Sequence, residues 1–363
     1  MNNCIRGIDL KEGLLKGYYL HALWLRERVT DEINLDTNNL QRLYDPSLID
    51  TDIFILDYKI NNQLLYVRFS DKTKSNYNIY DLHKEIIGKD CIPKKIFWSA
   101  SIDLKMLQFD SSFLNNDEKL LINVLEKFYE YGIVIINNIE AKEKEIIKFA
   151  ERIGPIMETN YGRIFDVISK KKANNLAYTS LGLSVHTDNP YRKPVPGIQI
   201  LHCIANEAKG GDTALVDGYS VCEYLRKNNK CYFDTLTSTE VLFKFIDKDI
   251  ILENKGKIIE LDSNGDFKQI RLNGRSDYVP LLDKDRLTKY YKARKFFFKL
   301  CNSSDFQIKF RLKKSTLIMF DNHRLLHGRT KFFPNTGLRH LQGCYLGHDA
   351  AEGKLRLLKS LSN

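Results

Sequence analysis

The chain has 363 residues, 43% of them hydrophobic and 11% aromatic, with no proline-rich, glycine-rich or otherwise biased tract. This excludes a disordered or fibrous protein and leaves room for two domains, one with a core large enough to bury an active site. The formal net charge is +10, but the lysines are spread along the whole chain, which argues against a nucleic-acid partner and suits a field that draws in a small anion.

The opening Met1–Asp9 lacks the apolar core of a secretory signal, and no apolar run is long enough to span a bilayer. The expectation is a soluble, cytoplasmic protein with no membrane partner. Up to about residue 90 the pattern is short strands with turn signals: Phe54 to Tyr58, the turn Asn61-Asn62, then Leu64 to Phe69. This predicts a small β-rich domain over 1–95, followed by a larger domain over 96–363. After Asn116, read as a helix cap, Leu120, Leu121, Val124, Leu125 and Phe128 recur at helical spacing until Gly132. A strand over Ile133 to Ile136 and a helix over Glu143 to Ile153 follow, the helix ended by Gly154-Pro155.

From Ile198 onward strands dominate: Ile198 to Ile204, Thr213 to Val216, Val241 to Phe245, Thr316 to Phe320 and Leu338 to Leu346, interrupted by a helix over Lys284 to Leu300. Many strands with a few outer helices predict a mainly β fold, with a jelly roll as the natural candidate. The seven cysteines are odd in number and show no C-x-x-C spacing, so reduced thiols are expected rather than disulfides or a thiolate zinc site.

In Leu183-Ser184-Val185-His186-Thr187-Asp188 an imidazole and a carboxylate lie two residues apart, on one face if the strand continues. One such pair is expected by chance, and His83-Lys84-Glu85 is a second, read as a surface decoy. What distinguishes His186 and Asp188 is a third donor, His327, just beyond the apolar strand that ends at Phe320. Two histidines and a carboxylate are the facial triad of a non-haem Fe(II) site. Arg339, twelve residues on, offers a guanidinium fork for the far carboxylate of a 2-keto acid, and shares a strand face with Tyr345. Thr213, after Gly210-Gly211, adds a hydroxyl donor.

These stretches, with Asn174 to Thr179, His186 to Tyr191, Gly210 to Thr213, His327-Gly328-Arg329 and Arg339 to Gly343, resemble the γ-butyrobetaine dioxygenase and trimethyllysine dioxygenase family, within the taurine dioxygenase-like superfamily. The resemblance implies a double-stranded β-helix (jelly roll) core behind a small N-terminal β domain. It implies Fe(II) on His186, Asp188 and His327, with 2-oxoglutarate held by Thr213, Arg339 and Asn175 and O2 as the second cosubstrate. The substrate it implies is a small quaternary ammonium compound. Family cage positions fall on Tyr161, Phe165, Tyr178 and Tyr345, whose faces attract such a cation, and Asn273 falls where the family contacts the substrate carboxylate.

Two features depart from the animal enzymes: Phe165 stands where they carry tryptophan, and the stretch Val29 to Asn34 has no cysteine, so no structural zinc is expected. Arg275 is an additional cation near Asn273, able to serve a carboxylate, a phosphonate or only the fold. Dimerisation is carried by the resemblance alone. The leading expectation is hydroxylation of γ-butyrobetaine to carnitine with release of succinate and CO2. Trimethyllysine and 2-(trimethylammonio)ethylphosphonate are alternative substrates, and a zinc hydrolase or a non-catalytic binding protein are the more distant readings.

Overall fold

The computed structural model describes residues 4–88, 90–115, 117–168 and 180–362. The chain divides into two compact units, Met1–Asp90 and Cys91–Asn363. In the first, strands Ile55–Asn61, Leu64–Phe69 and Lys74–Asn78 form an antiparallel meander. Its tightest turn is made by Asn62 in the left-handed region (φ 54°), a conformation asparagine tolerates. Alternate residues Leu65, Val67 and Phe69 face a core with Ile8, Leu20, Leu25 and Ile55. His83 lies here, on the helix Ile79–Ile86.

The second unit is two facing sheets. Six strands run in the order Gln108–Asp110, Ile133–Asn137, Thr316–Asp321, Ile198–Asn206, Arg339–Leu346, Phe165–Val167; four run Gln307–Phe310, Thr213–Asp217, Leu325–Arg329, Leu183–His186. Strand Thr316–Asp321 is buried at every residue because both faces are covered. Ile318 and Phe320 pack inward with Leu215, Leu325 and Leu341, whereas Leu317 and Met319 pack outward against the helices Glu118–Tyr131, Glu145–Ile153 and His348–Ser362. This is the expected double-stranded β-helix, mainly β with flanking helices.

The first of those helices is capped by Asp117, whose carboxylate accepts from Leu120 N at 2.9 Å; the expected cap, Asn116, lies outside the described residues. Gly132 (φ 76°) ends it in the left-handed conformation. Between Thr213–Asp217 and Gln307–Phe310 the chain makes a separate lobe. Helices Gly218–Asn228, Lys230–Ser238 and Lys284–Cys301 cover a small sheet of Glu240–Ile246, Ile251–Lys257 and Asp277–Tyr278 around a core with Tyr219, Phe243, Ile270, Tyr290 and Phe297.

A buried ion pair anchors the turn that leads to His327. Arg324 meets Asp217 at 2.7 Å with both side chains fully buried, and donates to the carbonyls of Glu130 and Ile96. No helix among the described residues is long and apolar enough to cross a membrane.

Candidate metal centre and active site

Strand pairing brings the two histidines together. His327 is the direct cross-strand partner of His186, so both project from one face, with ring centroids 4.5 Å apart. Asp188 reaches them differently from the expectation, because the strand ends at His186 and Asp188 sits past its end. Its Oδ1 lies 3.3 Å from His186 Nε2 and 3.7 Å from His327 Nε2. One ligand atom from each residue lies within 4.8 Å of the others.

The donor set fits a ferrous ion. His186 Nδ1 donates to the Ser184 carbonyl at 2.9 Å, leaving Nε2 as the free lone pair. Burial pushes the His327 imidazole down to about 3, so it is neutral and able to ligate at neutral pH. Burial raises the Asp188 carboxyl, but His327, His186 and the Tyr345 hydroxyl outweigh it and hold the group well below the usual carboxylate range. Two imidazoles and one carboxylate, with no thiolate, are the facial-triad chemistry of non-haem iron.

Arg339 opens its strand beside Asn206 and is 7% exposed. Its Nε is buried without a hydrogen bond, and among the described residues no carboxylate pairs with it. Burial lowers it to about 10, which leaves a cation at neutral pH. Its guanidinium lies over Phe332, 5.4 Å from the ring centroid, and a Cβ on Gly211 (φ 76°) would come within 3.0 Å of its Nε. A buried, unpaired arginine asks for an anionic ligand. Thr213, also buried, lies on the facing sheet.

Tyr161, Phe165 and Tyr345, three of the positions assigned to a cage, lie together, with ring centroids 6.3 Å apart for the first pair and 5.2 Å for the second. The Tyr345 hydroxyl donates to Asp188 Oδ2 at 2.8 Å, tying the aromatic group to the His-Asp-His set. Asn175 and Tyr178 lie outside the described residues. Buried Asn273 spends a donor on the Thr187 carbonyl at 3.1 Å and leaves Oδ1 unbonded. Arg275 lines a cavity of about 600 Å³ that also touches Ser184 and His186.

Three residues near the site escaped the sequence reading. Asn322 brackets the Asp188 backbone. Tyr191 and Phe245 extend the aromatic group: Phe245 lies 6.1 Å from Tyr161 and stacks on Tyr191 at 5.0 Å. Tyr191 follows Asp188 by three residues and was within reach of inspection; Phe245, from the inserted lobe, carries no local signal.

Residues 106–345 match the family model described as taurine catabolism dioxygenase TauD, TfdA family. The chain belongs to this dioxygenase family. The matched stretch holds the triad, Thr213, Arg339 and the whole described aromatic group. Among curated relatives of this TauD/TfdA-family dioxygenase, the γ-butyrobetaine dioxygenase of Pongo abelii is 33% identical over 93% of this chain and 90% of its own length. That of Pseudomonas sp. (strain AK-1) is 30% identical over the same shares. The mitochondrial trimethyllysine dioxygenase of Bos taurus is 29% identical over 93% of this chain and 82% of its own. The resemblance drawn from the sequence therefore holds.

Proposed function

We propose that this dioxygenase uses Fe(II), 2-oxoglutarate and O2 to hydroxylate a small trimethylammonium acid, with γ-butyrobetaine to carnitine as the reaction and succinate and CO2 as co-products. The observation that carries the reading is the joining of an aromatic group to a His-Asp-His triad through one hydrogen bond, Tyr345 to Asp188. A trimethylammonium group cannot donate hydrogen bonds, and aromatic faces are what recognise it. Relatives named for γ-butyrobetaine and for trimethyllysine support the same class.

His186, Asp188 and His327 hold the iron, which when bound supplies O2 activation coupled to decarboxylation of the keto acid. Arg339 neutralises the far carboxylate of 2-oxoglutarate, and Thr213 adds a hydroxyl donor. Tyr161, Phe165 and Tyr345, with Tyr178 and Asn175 in the family positions, orient amine and cosubstrate. Asn273, by its family position, and Arg275, which lines a cavity beside His186, take the substrate's acidic group. Fixing both partners in this way turns binding into orientation at the reacting C–H bond. A zinc hydrolase would leave the buried Arg339 without a task.

The test is substrate-dependent succinate formation with γ-butyrobetaine, trimethyllysine and 2-(trimethylammonio)ethylphosphonate in parallel. The highest kcat/KM is expected for γ-butyrobetaine. A clear preference for either other compound overturns the choice of substrate, and no turnover of 2-oxoglutarate with any amine overturns the oxygenase reading.

A further inference from the structure

One buried amide inside the double sheet has no hydrogen-bond partner among the described residues. Gln199 is 2% exposed, and its Oε1 is buried without a hydrogen bond; its Nε2 makes no hydrogen bond among the described residues. In the sheet register Gln199 lies directly opposite Phe320 on one neighbouring strand and Tyr345 on the other. Directly opposed residues of antiparallel strands project from the same face. The Phe320 ring lies 4.9 Å from that of His327, and the Tyr345 hydroxyl bonds to Asp188. Gln199 therefore projects between two side chains that each touch a metal-binding residue.

A side-chain amide so placed is ordinarily bonded, and its uncommitted N–H is a donor available to an anionic ligand. His202, three residues on, is also buried with both ring nitrogens unbonded, but it belongs to the opposite face of the strand. Among the described residues, neither the His-Asp-His set, the aromatic rings nor Arg339 bonds to Gln199.

We propose that Gln199 is a further positioning residue for the cosubstrate: its amide N–H donates to the metal-chelating end of the keto acid, at the end away from Arg339. A protein donor at that end would fix how the chelating group is turned, which the anchors at the far carboxylate, Arg339 and Thr213, leave unset. This assignment rests on the oxygenase reading above.

The test is anaerobic titration of 2-oxoglutarate into the Fe(II)-loaded protein, followed by the visible charge-transfer absorption of the keto-acid chelate. Gln199→Leu should weaken 2-oxoglutarate by about tenfold or more, the worth of one hydrogen bond to a charged group, and shift the absorption maximum. Fe(II) affinity should stay within about twofold. The metal-free variant should melt at or above the wild-type temperature, because an unsatisfied amide has been removed. Gln199→Glu sets an anion against the ligand and should bind 2-oxoglutarate more weakly still. Unchanged 2-oxoglutarate affinity and absorption in a folded Gln199→Leu protein overturns the assignment. So does a change confined to the affinity for the amine substrate, or a lowered melting temperature with normal cosubstrate binding. A wild-type protein that gives no chelate absorption at all brings down the oxygenase reading, and this assignment with it.

Discussion

Asn322 grips Asp188 by the backbone on both sides: its Oδ1 accepts from Asp188 N at 2.7 Å, and its Nδ2 donates to the Asp188 carbonyl at 3.0 Å and to that of Pro196 at 2.9 Å. Asp188 lies past the end of its strand, so this contact across 134 residues does what a sheet ladder would otherwise do. Asn322→Asp places an acceptor against two carbonyls, and Asn322→Leu removes the grip altogether. Both should lower Fe(II) affinity by about 10–100-fold, measured by competition with a chelator. Unchanged affinity in a folded Asn322→Leu protein would show that the loop holds Asp188 without it.

Arg339 is a buried cation with no carboxylate partner among the described residues, so it costs stability until an anion arrives. Arg339→Met should raise the stability of the ligand-free protein by about 1–3 kcal/mol. It should also abolish the rise in melting temperature that excess 2-oxoglutarate produces in the wild type through binding to the folded state. A variant still stabilised by 2-oxoglutarate would place the cosubstrate elsewhere.

Phe165 occupies the space above Gly343: a Cβ there would fall 2.4 Å from its ring. Gly343→Ala should push the ring out of the aromatic group. KM for a trimethylammonium substrate should then rise by about tenfold, the scale of one lost cation–π face, with Fe(II) binding unaltered. If KM stays put, Phe165 is core packing and the other rings hold the cation.

Burial lowers the imidazoles of His202 and His323 to about 4 each. Unfolded, each takes up a proton below about 6.5. Between those values the unfolded chain binds more protons, so stability falls with pH, by on the order of 2 kcal/mol per histidine at pH 5. His348 acts in the opposite sense. Burial lowers it, but Asp321 at 3.1 Å outweighs that and raises it, so its contribution is complete below about 6.5 and fades above its folded pKa. With His327, also lowered by burial, three against one leaves a net loss, and urea unfolding of the metal-free protein should show lower stability at pH 5 than at pH 7. His202→Leu should flatten that slope; an identical slope would mean His202 is not the group responsible.

The Arg324–Asp217 pair has no exposure on either side chain, and Asp217 also accepts from the backbone N–H groups of Trp98 and Tyr219. Arg324→Leu strands a buried carboxylate and should cost about 3–5 kcal/mol. Chemical denaturation would measure this, and a loss below about 1 kcal/mol would mean that water or a backbone shift relieves the charge.

Much of this protein was legible along the chain because the chemistry concerned is local. The apolar run Thr316 to Phe320 announces a strand covered on both faces, and the helical recurrence from Leu120 to Phe128 needs no partner to be recognised. His186, Asp188, His327 and Arg339 stand out because metal and carboxylate chemistry restrict residue type and order. The expectation that Asp188 continues the strand of His186 failed, since where a strand ends depends on what its next residue bonds to. Here that partner is Asn322, brought close by a turn pinned by Arg324 and Asp217. Phe245 joins Tyr161 and Tyr191 from an inserted lobe, and Gln199 faces the triad by virtue of its register between two neighbouring strands. Such relations come from pairing between distant segments, and residue type and periodicity carry no record of which strand lies beside which.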